Sequence, residues 1–266
     1  MTAGGHVDDL GTPYRPVGTP HRVVSLVPSL TETVAATAPG LLVGATDWCT
    51  HPADLDVRRV KGTKWPDLEA ISALAPDLVL ANAEENRAED IAGLRAAGIP
   101  VWVTAPATVP QALDSLRRML AALGSKDVDW LDEADRLWAR PTTAAHRPVV
   151  VPIWRRPWMV LGRDTFAGDV LARLGYPNVF ARHAERYPNI GIEQLRAAAP
   201  YLVVLPDEPY AFTADDGPEE FPGVRCALVS GRHLTWYGPS LVEAHDLLLR
   251  QLTTPLPSVG LPPSQE

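Results

Sequence analysis

Two stretches of this chain, 124 positions apart, are variants of one unit. The first runs Asp67-Leu68-Glu69-Ala70-Ile71-Ser72-Ala73-Leu74-Ala75-Pro76-Asp77-Leu78-Val79-Leu80. The second runs Gly191-Ile192-Glu193-Gln194-Leu195-Arg196-Ala197-Ala198-Ala199-Pro200-Tyr201-Leu202-Val203-Val204. Each reads as a short helix with a glutamate near its start, stopped ahead of a proline, and then an apolar strand. Proline disfavours helical backbone in the residue before it, so the stop has a steric cause. A helix–strand unit cannot bury its apolar faces alone. Two copies at this separation therefore predict two similar α/β lobes, and two lobes predict a cleft that holds a ligand.

At 266 residues the chain has the length for one large domain or two small ones, and the repeat favours two. A formal net charge of −8 argues against the basic face of a nucleic-acid binder. Cys49 and Cys226 are the only cysteines, which leaves room for one bridge and excludes a disulfide framework. No run approaches the roughly eighteen apolar residues that a membrane-spanning helix needs. The first residues carry neither the basic start nor the apolar core of an export signal. This predicts a cytoplasmic protein with a disordered leader over 1–20.

Val23–Val27 reads as a strand, and Ser29 with Glu32 as the capping box of a helix ending at Pro39-Gly40. Further strands are expected at Val43–Ala45, Leu78–Leu80 and Val101–Val103, with helices over the Glu69 segment and Glu85–Ala97. Strands and helices alternating at this pace predict a parallel sheet covered on both faces, making 21–108 an N-terminal α/β lobe. Leu113, Leu116, Leu120 and Leu123 recur at helical spacing up to Gly124, and a second helix over Val128–Ala139 stops at Pro141. These make a helical connector over 109–146. A C-terminal α/β lobe follows over 147–254, with strands at Val149–Ile153, Met159–Leu161 and Ala227–Val229 and helices over Thr165–Leu174 and from Ser240. The Pro-rich end, 255–266, reads as a flexible tail.

Four pieces of sequence carry a family resemblance. They are Arg22-Val23-Val24-Ser25-Leu26-Val27-Pro28-Ser29-Leu30-Thr31-Glu32, Leu68-Glu69-Ala70-Ile71, Pro76-Asp77-Leu78-Val79 and Gly98-Ile99-Pro100-Val101. In this order the chain resembles the substrate-binding proteins that feed vitamin B12 and iron-chelate ABC importers, also called helical-backbone metal receptors or the Fe/B12 periplasmic-binding domain. The resemblance runs from about Arg22 to Leu252 and implies a class III substrate-binding fold. That fold is α/β, two Rossmann-like lobes with parallel sheets joined by a helical backbone. It also implies that Glu69 and Glu193 dock onto basic pockets of the importer permease, where paired carboxylates would orient the encounter. From the residues alone, each is equally a first-turn glutamate favoured by the helix dipole. The chain departs from the family in showing no signal peptide or lipid-attachment cysteine. Its connector is broken at Pro141, where the family has one long helix.

In open α/β lobes ligands meet the loops that follow the strands, so those loops supply the candidates. Ser29 opens the helix after the first strand and offers that N-terminus to an anionic group, or simply caps it. Trp48, Cys49 and His51 follow the second strand. A thiol and an imidazole suit a soft metal, but two ligands do not close a site, and the sequence favours a packed Cys49 with a half-exposed His51. No metal centre is assigned. Trp65 is a stacking platform, near the point where vitamin B12-binding relatives line their cleft with aromatics. Glu84, Glu85 and Asn86 stand where some relatives carry an aromatic; they suit polar ligand groups, or serve as carboxylates at a helix start. Trp154, Arg155 and Arg156 suit a planar or anionic ligand, or form a surface hairpin with solvated arginines. Phe166 opens a helix after a strand, Glu208 and Tyr210 follow the Leu202 strand, and Trp236 and Tyr237 precede the last helix. Eight tryptophans, several of them in post-strand loops, favour an aromatic-walled pocket.

The expected function is a non-enzymatic binding protein of the ABC-transporter type, clamping a cobalamin or other corrinoid, a haem-like ligand or an iron chelate between its lobes. It carries no covalent cofactor, and an importer permease is its partner. A stiff helical link restricts it to a small closure. The alternative is a cytosolic, chelatase-like enzyme acting on a tetrapyrrole or related metabolite, in which His51 or His233 works with Glu84 or Glu208. A third reading is a scaffold that binds another protein. The sequence shows no Walker loop, Gly-x-Gly-x-x-Gly turn or Ser-His-Asp order, so hydrolase, kinase and dinucleotide readings lack support.

Overall fold

Short apolar runs separated by Gly, Pro and Asp become the strands of two separate parallel sheets, one in each of two compact units. The computed structural model describes residues 5–15, 18–139 and 146–256. The first unit comprises the described residues up to Pro106 with Pro110–Asp135 and Tyr237–Pro239. The second comprises Ala107–Val109, Arg136–Trp236 and the described residues from Ser240.

The chain opens with a hairpin of β1 (His6–Val7) and β2 (Pro13–Tyr14). Then come β3 (Val23–Ser25), α1 (Pro28–Thr37), β4 (Leu42–Ala45), β5 (Arg58–Arg59), α2 (Leu68–Ala73), β6 (Leu78–Asn82), α3 (Ala88–Ala96) and β7 (Val101–Thr104). Helices α4 (Val109–Ala122) and α5 (Asp129–Trp138) follow. The sheet order is β5-β4-β3-β6-β7, every pairing parallel, so all five strands end on one edge. Val24, Val79, Ala81 and Val103 from the strands, with Leu26 just after β3, meet Ile71, Ile91 and Leu94 from the helices in the core.

Two expectations fail in this unit. The described part of the leader is structured, because Asp8 is buried and fully engaged. Its carboxylate accepts from the amides of Leu10 (3.0 Å), Thr12 (2.7 Å) and Val103 (3.2 Å) and from Arg95 (3.2 Å). The Asp9 amide donates to the Val103 carbonyl at 3.1 Å, so the hairpin covers the edge strand β7. The connector does not stand apart either. Residues 110–135 pack with the first unit, where Trp130 Nε1 donates to Thr37 Oγ1 on α1 at 3.0 Å. Pro141 lies outside the described residues.

The second unit contains β8 (Val149–Val150), β9 (Pro152–Trp154), β10 (Met159–Val160), α6 (Phe166–Arg173), α7 (Ile192–Ala197), β11 (Leu202–Pro206), β12 (Cys226–Val229), α8 (Gly231–Thr235) and α9 (Leu241–Thr253). Its parallel sheet has the order β12-β11-β8. The strand expected over Val149–Ile153 is divided: β8 joins the sheet, while β9 turns back and pairs antiparallel with β10. Pro152 has no amide to give to a ladder, and Arg156 adopts a left-handed φ of 67° in the turn. Leu256, expected in a flexible tail, is tied down, its amide donating to the Cys226 carbonyl at 2.7 Å. Residues 257–266 lie outside the described residues.

The repeat is reproduced residue for residue. Helix α2 and strand β6 match α7 and β11 at both ends with the 124-residue offset. Ile71 and Leu195, equivalent in the two copies, are both fully buried. Ala75 and Ala199, each ahead of the proline, share a φ of 45°. A left-handed alanine costs roughly 1–2 kcal/mol, so its recurrence shows the same helix-ending turn imposed twice.

Candidate functional site

In the first unit, the carboxyl ends of the five parallel strands bring Trp48, Trp65, Glu84 and Glu85 to one edge. Trp48 and Trp65 are 66% and 68% exposed, more than any other large apolar side chain among the described residues. Their loops adjoin: a Cβ on Gly62, in the Trp65 loop, would lie 3.4 Å from Trp48 Nε1. Solvent-facing indoles on neighbouring loops form an exposed apolar surface. Lys64 Nζ donates to the Glu84 carbonyl at 2.5 Å, tying the Trp65 loop to the one after β6. The Glu84 and Glu85 amides donate to Asn82 Oδ1 at 2.7 and 3.1 Å, which turns the chain into α3.

Four first-unit candidates are buried, and three of them are engaged in building the edge. Asn86 is buried: its oxygen accepts from the Asn82 amide at 2.8 Å and its nitrogen donates to the Thr63 carbonyl at 2.9 Å. Ser29 is buried within the first turn of α1. The Tyr237 hydroxyl sits 2.7 Å from both Asn82 Nδ2 and Thr104 Oγ1, and burial raises its pKa strongly. Cys49 is buried, its sulfur 3.0 Å from Thr31 Oγ1 and 3.1 Å from Thr46 Oγ1, and burial pushes the thiol pKa up. Thiolate metal ligands need the opposite shift. No group of three or more His, Cys, Asp or Glu side chains among the described residues is placed to hold a metal. His51 is half-buried, with Nδ1 3.2 Å from Thr50 Oγ1.

In the second unit, Trp154 is the most exposed aromatic among the described residues, packed edge-on against Tyr210 with centroids 5.6 Å apart. Tyr210 donates to Asp216 at 2.6 Å. Arg155, expected to meet ligand, is instead a buried hub. Its guanidinium pairs with Asp216, with Glu219 at 2.5 Å and with Glu220 at 3.1 Å. Arg156 is exposed in the turn beside it. Phe166 is core rather than surface, buried at the start of α6. Glu208 is half-buried on the loop after β11. Burial, and Asp207 next to it, raise its pKa against the opposing pull of Trp236 and Arg232. The half-buried Trp236 lies 5.9 Å under the Arg232 guanidinium. His233, suggested as a partner for Glu208 or Glu84, pairs with Ser230 Oγ at 2.8 Å and Glu243 Oε1 at 2.9 Å.

Glu69 and Glu193 are both exposed in the first turns of their helices. Asp67, not Glu69, caps α2 by accepting from the Ala70 amide at 3.0 Å. Glu193 pairs with Arg196 at 2.7 Å, and Arg196 also holds Glu220, joining Glu193 to the Arg155 hub. Sequence reasoning passed over Asp216, Glu219 and Glu220. They lie in a Gly- and Pro-containing loop, and only the buried arginine gives them a purpose.

Two α/β units with parallel sheets, displaying aromatics where the strands end, define a solute-binding protein. The chain belongs to the periplasmic binding protein family, whose sequence profile matches residues 23–221. It is 30% identical to the vitamin B12-binding protein of Salmonella typhimurium over 193 residues, covering 69% of this chain and 71% of that one. Among solved structures it resembles the periplasmic vitamin B12-binding protein of Vibrio cholerae, with a TM-score of 0.73, 20% identity, and coverage of 88% of this chain and 97% of that one. It also resembles a periplasmic haem-binding protein solved with two haems, with a TM-score of 0.71, 26% identity, and coverage of 89% and 98%. The fold is therefore class III, as expected, and the family is one of binding proteins rather than enzymes. The family's periplasmic setting does not support the cytoplasmic location expected from the first residues. No helix among the described residues is long and apolar enough to cross a membrane.

Proposed function

We propose that this chain binds a tetrapyrrole, either a corrinoid or a haem-like iron chelate, by stacking the macrocycle on indoles exposed at the carboxyl ends of its strands. The observation that carries this is the exposure of Trp48 and Trp65 on the loops after β4 and β5. Family relatives named for vitamin B12 and haem support the ligand class. Arg156, Glu84, Glu85, Glu208, Tyr210, Trp236 and His51 are further side chains proposed to meet ligand groups. Glu69 and Glu193 are proposed to dock on an importer permease, each presenting a carboxylate at the start of an equivalent helix.

The test is a titration of the purified protein with haemin and with dicyanocobinamide, followed by visible absorption and tryptophan fluorescence. Trp65→Ala is expected to weaken the bound ligand by ~1–3 kcal/mol, the range for planar rings stacked on protein aromatics. Binding of neither probe, or unchanged dissociation constants in the Trp48→Ala and Trp65→Ala variants, would remove the proposal.

A further inference from the structure

We infer that Arg87 is a positioning and specificity-determining residue, presenting the Trp65 indole with one face closed and biasing it towards neutral or anionic planar rings over cationic ones. This rests on the stacking role proposed above for Trp65. The guanidinium carbon of Arg87 lies 3.7 Å from the centroid of the Trp65 ring. It is held there by a fork: Nε and Nη2 donate to the two carboxylate oxygens of Asp90, each at 2.8 Å. Asp90 is itself buried on α3, and Glu89 adds a contact at 3.4 Å. A bidentate guanidinium–carboxylate pair is planar and directional, so the Asp90–Arg87 pair fixes the surface on which the indole rests. Trp65 nonetheless stays 68% exposed, so its second face is the one an incoming ring meets.

Both faces of an indole carry negative potential, which is why cations rest on them. A cation resident on one face draws on that potential and adds its own positive field beyond the ring. A macrocycle stacked at about 3.5 Å on the open face lies roughly 7 Å from the guanidinium, which is 3.7 Å behind the indole. That separation is inside the Debye length of about 8 Å at physiological ionic strength, so the field reaches the ligand. A second cation is disfavoured, whereas a neutral ring or one edged with carboxylates is accommodated. Asp90 and Glu89, which both pair with Arg87, offset part of this field, which limits the bias to about fivefold to tenfold.

The experiment uses two pairs of probes. Diaquacobinamide and dicyanocobinamide share one corrin ring and differ in charge; haemin is set against a tetracationic N-methylpyridyl iron porphyrin. Dissociation constants are measured for wild type, Arg87→Met, Arg87→Lys, Trp65→Ala and the R87M/W65A double variant, with circular dichroism as the folding control. Arg87→Met is expected to shift the ratio of the two constants within a pair about fivefold to tenfold towards the cation. In the W65A background the same substitution shifts it less than about twofold, because the effect passes through the indole. Arg87→Lys keeps the charge without the fork, so it weakens both members of a pair while retaining their order. An unchanged ratio in R87M, where W65A alone weakens binding, overturns the inference and leaves the stacking proposal standing. An equal ratio shift with and without Trp65 also overturns it, since the charge then acts through space. No binding by either pair, or no effect of W65A, brings down both.

Discussion

Replacing Arg155 by methionine tests whether the second unit holds its post-strand loops by charge. The Arg155 side chain is 6% exposed, and its three carboxylate partners, Asp216, Glu219 and Glu220, are 41%, 43% and 34% exposed. Removing one partner of a buried pair costs about 3–5 kcal/mol, whereas a surface pair is worth about 0–1 kcal/mol. A buried cation facing half-exposed anions lies between these limits, and the variant leaves three like charges adjoining. The expected loss is therefore about 2–3 kcal/mol. Methionine keeps most of the buried stem, so the loss reports charge rather than a cavity. Thermal unfolding followed by near-ultraviolet circular dichroism should show the transition of this unit fall by about 5–10 °C. A pH series then isolates the cause. Burial alone would raise the Glu219 carboxyl, yet the Gly217 amide and Arg155 together hold it below its ordinary value. A carboxylate depressed in the folded state lends stability above its unfolded pKa and loses it as pH falls through the folded one. The gap between wild type and R155M should thus be widest near neutrality and narrow below about pH 4. A loss under about 0.5 kcal/mol, or one that is the same at pH 4 and pH 7, refutes the reasoning.

Tyr237→Phe removes the hydroxyl shared by Asn82 and Thr104, leaving two buried polar groups without it, and should cost about 1–3 kcal/mol in urea unfolding. An unaltered midpoint would show that the phenol contributes packing alone. Glu208 carries the opposite pH signature to Glu219. Burial, with Asp207 nearby, raises its folded pKa, so the folded protein gains stability as pH falls through that value and loses it as pH rises. Glu208→Gln should therefore be more stable than wild type at neutral pH and flatter in its dependence down to about pH 5; a variant less stable than wild type at pH 7 contradicts this.

The scaffold was legible because it is written twice and in apolar residues. Proline after Ala75 and Ala199, with buried Ile71 and Leu195 one turn back, leaves the chain few alternatives in either copy. The β1–β2 hairpin was not legible. Its two-residue strands carry no period, and its attachment depends on Asp8, whose partners lie at Val103 and Arg95, and on Asp9, whose partners lie at Ala105, Ser115 and Arg118. Arg58–Arg59 as a strand was equally hidden, since backbone pairing with Gly44 and Ala45 overrides an exposed, charged pair. At the site, the tryptophans were readable as loop residues of a size that needs a reason. Which polar neighbours would be withdrawn into structure was not. Asn86, Arg155 and Tyr237 have the side chains of ligand contacts, and only three-dimensional proximity commits them to Asn82, Asp216 and Thr104.

Those commitments differ in kind between the two units, and the difference has a physical consequence. The first unit ties its carboxyl edge with neutral groups: the amides of Asn82 and Asn86, the Thr104 hydroxyl and the Tyr237 phenol. Such bonds are indifferent to acid until the fold itself titrates, so the Tyr237→Phe loss should not vary with pH. The second unit ties its edge with ions, Arg155 and Arg196 against Asp216, Glu219, Glu220 and Glu193. Half-exposed ion pairs weaken when their carboxylates protonate and when salt screens them. The repeat therefore duplicated a backbone without duplicating its fastenings. Trp154 and Tyr210 rest on a frame that responds to both; in the first unit the Asn82–Tyr237 network responds to neither, while Trp65, seated on the Arg87–Asp90 pair, keeps one ionic support.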